Sequence, residues 1–201
     1  MATLSQLVTA IATVEGIDAE RVAAIARAAR EEGLIRTSGR GTSAAQMEER
    51  DAANLLIATN TADTARTAPA AVAQYRALQA ERNKRSSEAA SSFGSELEEL
   101  ISAAKRESLA NYFMKMVALF GKPGHLLGRR PYPNEAYKFW IEFEKPIPSV
   151  LVNISGPNDP VGDYVYFKNP RQQAVEARGD RTESTKITQR TILAVTNVLR
   201  T

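Results

Sequence analysis

The sequence predicts an α+β protein, with an N-terminal all-α bundle followed by an α+β part that carries a small antiparallel sheet of three or four strands. Three observations predict it. Apolar residues recur at helical spacing through most of the first 120 residues. From Ala136 the period changes to two, as in half-buried strands. From Thr188 helical spacing returns. The polar run at 86–92 (SSEAASS) is the best boundary. The chain therefore divides into a helical domain at 1–62, a helix and linker at 63–92, and an α+β domain at 93–201.

The first helix is expected at 4–14, with Thr3 and Gln6 at capping-box spacing and Leu7, Val8, Ile11 and Val14 as its apolar face. Glu15-Gly16-Ile17 is a tight link. Asp18 caps a second helix, 19–32, whose apolar stripe is Val22, Ile25, Ala26 and Ala29. Gly33 ends it, Leu34 and Ile35 form a short apolar plug, and a glycine-containing basic loop follows at 36–43. Ser43 and Gln46 open a third helix running to about Thr59, and 60–68 reads as loop. Pro69 suits the first turn of a helix running to about Arg85. Ser95 and Glu98 cap a longer helix at 96–120, stopped by Gly121 and Pro123.

In the second half, Tyr137, Phe139, Ile141 and Phe143 alternate with Lys138, Trp140, Glu142 and Glu144, which makes a strand. Val150, Val152 and Ile154 make a second. The segment 156–163 (GPNDPVGD) is a turn signal, 164–167 a third strand and 172–178 a fourth. A last helix spans 188–199.

Composition narrows the function. There are 201 residues, no cysteine and one histidine. Disulfides and cysteine-based metal sites are excluded. Without an apolar run of spanning length or a signal peptide, a cytoplasmic protein that avoids membranes is expected. The net charge of +3 is unevenly spread. Residues 1–66 hold seven Arg against nine acidic groups, and residues 111–201 hold thirteen Lys or Arg against eight. The helical half is therefore not basic overall, although Arg21, Arg27, Arg30, Arg36 and Arg40 lie within twenty residues of one another.

Two short amphipathic helices around a glycine link are the pattern of a helix-turn-helix. The helix 4–14, the EGID turn, AERVAAIARAAREEGLI and the RTSGRGT loop together resemble a winged helix-turn-helix DNA-binding domain, over about the first third of the chain. The Ala-rich, two-part character is similar to regulators from bacterial phages or prophages. The resemblance implies a sequence-specific transcriptional regulator that binds double-stranded DNA. Helix 19–32 would enter the major groove and the loop 36–43 would act as the wing.

On that reading Glu20, Arg21, Ala24, Arg27, Ala28 and Glu31 face the groove. Arg donates two hydrogen bonds to a guanine edge, and short alanines permit close approach. The loop has Arg for phosphate and hydroxyls for hydrogen bonding. The expected DNA-binding residues are Arg21, Arg27, Arg30, Arg36, Arg40, Thr42 and Ser43. The helix at 69–85 or the α+β domain would form a homo-oligomer, with a dimer favoured, and the α+β domain can also hold a protein partner.

The alternative is a phage structural or interaction protein: a subunit resembling the small terminase of DNA packaging, or a protein-binding adaptor or inhibitor. An enzyme is not expected, nor is a cofactor or a metal. His125 lacks partners for general-base or metal chemistry. Glu96, Glu98 and Glu99 are explained by the helix dipole. Asn158, Asp159 and Asp163 read as turn formers, and Arg178-Gly179-Asp180 as a chance tripeptide. Among the aromatics Tyr137, Trp140, Tyr164 and Tyr166, Trp140 falls on the polar side of its strand and suggests a partner surface.

Overall fold

The computed structural model describes residues 2–37, 45–81, 107–120, 138–156, 159–169 and 182–201. The elements are α1 (Leu4–Glu15), α2 (Ala19–Glu31), α3 (Glu49–Thr61), a 3-10 turn (Ala65–Thr67), α4 (Ala68–Arg76), β1 (Gln79–Ala80), α5 (Leu109–Phe120), β2 (Lys138–Lys145), β3 (Ser149–Gly156), β4 (Asp159–Lys168), β5 (Glu183–Thr188) and α6 (Gln189–Arg200). The protein is α+β, as its periodicities predict. Among the described residues the antiparallel sheet has five strands, where three or four are expected, in the order β1-β4-β3-β2-β5.

Local signals in the first two helices act as read. Thr3 and Gln6 form a reciprocal capping box on α1. Asp18 accepts the Glu20 amide at 3.0 Å. The buried residues of α2 are Val22, Ile25, Ala26 and Ala29. Gly16 and Gly33 end the two helices at φ 69° and 71°, the left-handed region in which a Cβ is strained. Ile35 plugs into the core.

The third helix departs from expectation at both ends. It starts at Glu49, with Glu48 and Asp51 as its capping box, rather than near Ser43. It continues through Thr61, where the polar sequence suggests loop. The reason is local: Thr59, Asn60 and Thr61 each donate a side-chain hydrogen bond to the carbonyl four residues back, at 2.8, 3.0 and 2.7 Å. Their polar groups are thereby satisfied inside the protein. Every residue of α3 from Asp51 to Thr61 is buried.

Further differences follow from long-range contacts. α4 ends at Arg76 instead of near Arg85, because Leu78 is drawn into the core and its carbonyl accepts the Leu109 amide at 2.8 Å. The chain then adds β1 to the sheet edge beside β4. β4 begins at Asp159, inside the segment read as a turn. β5 lacks a strong alternation of its own, with Ile187 as its one fully buried residue. The expected strand at 172–178, and the part of the long helix at 96–106, lie outside the described residues.

One face of the sheet carries Ile141, Phe143, Val150, Val152, Ile154, Val165 and Phe167, all buried. α5 lies against it, with Phe113 edge-on to Phe143 at 5.9 Å and Tyr112 5.2 Å from Phe167. Such aromatic pairs add about 0.5–1.5 kcal/mol each beyond their burial. α3 packs between α2, α4, α5 and β2, while α1 packs on α6. Among the described residues, buried apolar side chains from both 1–62 and 107–201 belong to one cluster. Among the described residues no helix is long and apolar enough to cross a membrane.

Candidate nucleic-acid interface

α2 lies on the core through one stripe and leaves the opposite side in solvent. Glu20, Arg21, Ala24, Arg27 and Glu31 are exposed, and Ala28 and Arg30 are half-buried. The helix is amphipathic because its four apolar residues recur at three- and four-residue spacing, so its long charged side chains project outward.

The seven sequence-predicted residues fall into three groups. The side chains of Arg27 and Arg30 make no hydrogen bond or ion pair with any described residue. Arg21 is exposed, and its Nη2 donates to the Ala62 carbonyl at 3.3 Å. Arg36 is engaged more firmly. Its guanidinium forks onto the Glu48 carboxylate, with Nη1 at 2.5 Å from Oε1 and Nη2 on Oε2. Its Nε lies 3.8 Å from Asp51. Arg40, Thr42 and Ser43 lie outside the described residues. The structure thus brings Arg21, Arg27 and Arg30 onto one helix and places Arg36 in a separate acidic setting.

Asp51 is the residue that sequence reasoning missed. Its carboxylate is buried at 1% exposure and accepts two backbone amides, Arg36 at 3.0 Å and Glu48 at 2.9 Å. Beside it, the Asn54 side-chain amide donates to the Leu34 carbonyl at 2.6 Å. The available signal was the three-residue spacing of Glu48 and Asp51, which marks a helix start; nothing local marks the partner fifteen residues upstream.

The face of the sheet opposite α5 presents ordered rows. Thr188, Trp140, Asn153 and Tyr164 stand in one row across β5, β2, β3 and β4, and Lys186, Glu142, Leu151 and Tyr166 stand in the next. Lys186 Nζ sits 3.8 Å from the Trp140 ring centre, and Lys168 Nζ sits 4.2 Å from that of Tyr166. Among the described residues Tyr164 and Ile147 are the exposed large hydrophobic ones, at 44% and 39%. A concavity of about 410 Å³ lies beside the β2–β3 turn, with Glu144, Ile147, Ser149 and Tyr166 in its lining. There Glu144 accepts from the hydroxyls of Ser149 and, at 2.8 Å, Tyr166. Burial pushes the Tyr166 hydroxyl up from its ordinary pKa.

The two halves meet behind this concavity. Tyr75 donates its hydroxyl to the Glu144 carbonyl, and burial, aided by the nearby Glu144 charge, pushes its pKa up to about 12. Lys145 pairs with Asp63 at 2.6 Å and holds that carboxyl below its usual range. Among the described residues no group of three His, Cys, Asp or Glu is placed to hold a metal ion. Comparison with protein-family models, with curated proteins and with solved structures finds no match.

Proposed function

We propose that the protein is a double-stranded-DNA-binding transcriptional regulator of phage or prophage type, acting without catalysis in the cytoplasm as a homodimer. The contact surface is the outer side of α2. Arg27 reads base edges, Arg21 and Arg30 flank it toward phosphates, and the segment 36–43 supplies the second contact. The observation that supports the reading is the pairing of two arginines whose side chains have no partner among the described residues, Arg27 and Arg30, with the short side chains of Ala24 and Ala28. That combination lets a helix backbone approach a groove while positive charge reaches the strands. Glu20 and Glu31 on the same side discriminate against misplaced phosphates.

A fluorescence-polarisation titration tests this. The full-length protein is titrated into duplex DNA from upstream of its own gene and into a scrambled duplex, each at two salt concentrations. Salt-sensitive binding that favours the upstream duplex supports a DNA reader. No binding to either duplex at low salt overturns it.

The alternative reading, an interaction protein such as a small-terminase-like packaging subunit or an adaptor, is favoured by the open sheet face with Trp140, Leu151 and Tyr164. A ring-like oligomer in light scattering supports packaging, and a dimer supports regulation.

A further inference from the structure

Arg36 sits where the chain leaves α2, and Glu48 sits where it enters α3. The two residues are twelve apart in sequence, yet their backbone amides donate to the two oxygens of one buried carboxylate, Asp51. The Arg36 guanidinium then forks onto Glu48. Asn54 of α3 holds the Leu34 carbonyl at 2.6 Å, and the Met47 amide donates to Ala2 at 2.9 Å. The exit of α2 and the entrance of α3 are thus fastened at several points.

This geometry is a poor phosphate site. Both Nη groups of Arg36 address one carboxylate, and its Nε faces a second. Arg36, Glu48 and Asp51 together carry a formal charge of −1, so a phosphate would have to displace Glu48 against net repulsion. By contrast, Arg27 and Arg30 have no such competitor among the described residues.

We propose that Arg36 is a positioning residue for DNA binding rather than a DNA contact: through Glu48 and Asp51 it fixes the exit of α2 against α3, and so sets the pose of the α2 surface. This inference rests on the DNA-binding reading and reassigns one residue within it. It reverses the usual expectation for an arginine beside a recognition helix, since here Glu48 contributes to binding despite its negative charge.

A charge swap separates the two roles. Arg36→Glu, Glu48→Arg and the double variant are titrated with duplex DNA over a range of salt, and their melting temperatures are recorded. The expected result is that each single change weakens binding by about three- to tenfold, as for broken networks. The double variant should recover to about twofold of wild type, with an unchanged salt slope. If Arg36 contacts phosphate, the double variant stays as weak as Arg36→Glu and loses about one unit of salt slope, and Glu48→Arg binds more tightly than wild type; either result overturns the proposal. Single variants that melt lower but bind as wild type reduce the fastening to a stabilising contact and overturn it equally. Failure of the wild-type protein to bind any duplex is a different outcome, because it removes the DNA reading itself.

Discussion

α2 and α3 are adjacent helices of thirteen residues each, both rich in alanine and both polar enough to pass for surface helices. Their fates differ. α2 buries four small or branched apolar residues and leaves Glu20, Arg21, Arg27 and Glu31 exposed, with Arg30 half-buried. α3 buries everything from Asp51 to Thr61, including an aspartate, two asparagines and two threonines. The difference lies in the reach of the polar side chains. Short Asp, Asn and Thr groups on α3 return to nearby backbone groups, so their burial leaves no orphaned polar atom. The long Arg and Glu side chains of α2 extend away from its buried stripe, and of them Arg21 reaches the Ala62 carbonyl. α3 therefore builds the molecule and α2 presents a surface.

The contrast is most easily broken in the core. Leu56 of α3 is fully buried. Leu56→Ala is expected to cost about 3 kcal/mol, a fall of roughly 6–12 °C in melting temperature for a protein of this size. Calorimetry or thermal circular dichroism checks it, and a fall under about 2 °C would show that α3 is not the central helix.

A polar change on the same helix probes the claim that its hydrogen bonds make burial possible. Asn54→Ala leaves the Leu34 carbonyl without its 2.6 Å donor and is expected to cost about 2 kcal/mol, read from denaturant midpoints. A neutral outcome would mean that the Asn54 bond does not hold the α2 exit.

Glu15 joins the end of α1 to the end of α3 through the Asn60 side chain, at 3.2 Å. Burial pushes its pKa up from 4.5 to about 7, against the lowering effect of that hydrogen bond. The folded protein thus holds the proton more tightly than the unfolded chain does. The associated stability is full below about pH 4.5 and is lost as the pH rises through about 7. The loss is on the order of 3 kcal/mol. Glu15→Gln should flatten this part of the stability–pH curve and stabilise the protein at pH 8. An unchanged curve would place Glu15 in water.

The smallest stability effect belongs to α2. Arg27→Ala should change stability by less than about 0.5 kcal/mol, while weakening binding to the preferred duplex by about tenfold and affecting a random duplex less. Equal losses on both duplexes would make Arg27 a phosphate contact instead of a base reader.

These two helices also mark what the sequence makes legible. The α1 capping box, the Asp18 cap, the α2 stripe and the stop at Gly33 are set within a few residues, and all are present. The strand pair β2–β3 is equally local in its alternation. The fastening of Arg36 to Glu48 and Asp51, the joining of β1 to the sheet and the pairing of β5 with β2 bring together residues distant in sequence, and no window of sequence contains them. The polar end of α3 is the instructive case. Asn60 and Thr61 have the composition of a loop, and only the surrounding core makes their return to the backbone the favourable arrangement. At the candidate interface, which side of α2 faces solvent was readable from periodicity. That Arg36 is already held by carboxylates was not.

The most direct test of α2 as the presented surface and α3 as the framework is a nuclear magnetic resonance titration of isotope-labelled full-length protein with duplex DNA. The account predicts that amide signals of Glu20, Ala24, Arg27 and Glu31 shift or broaden first, while those of Leu55, Leu56 and Ile57 stay in place. Shifts confined to the rows of Trp140 and Tyr164 on the open sheet face, with α2 unmoved, would contradict it.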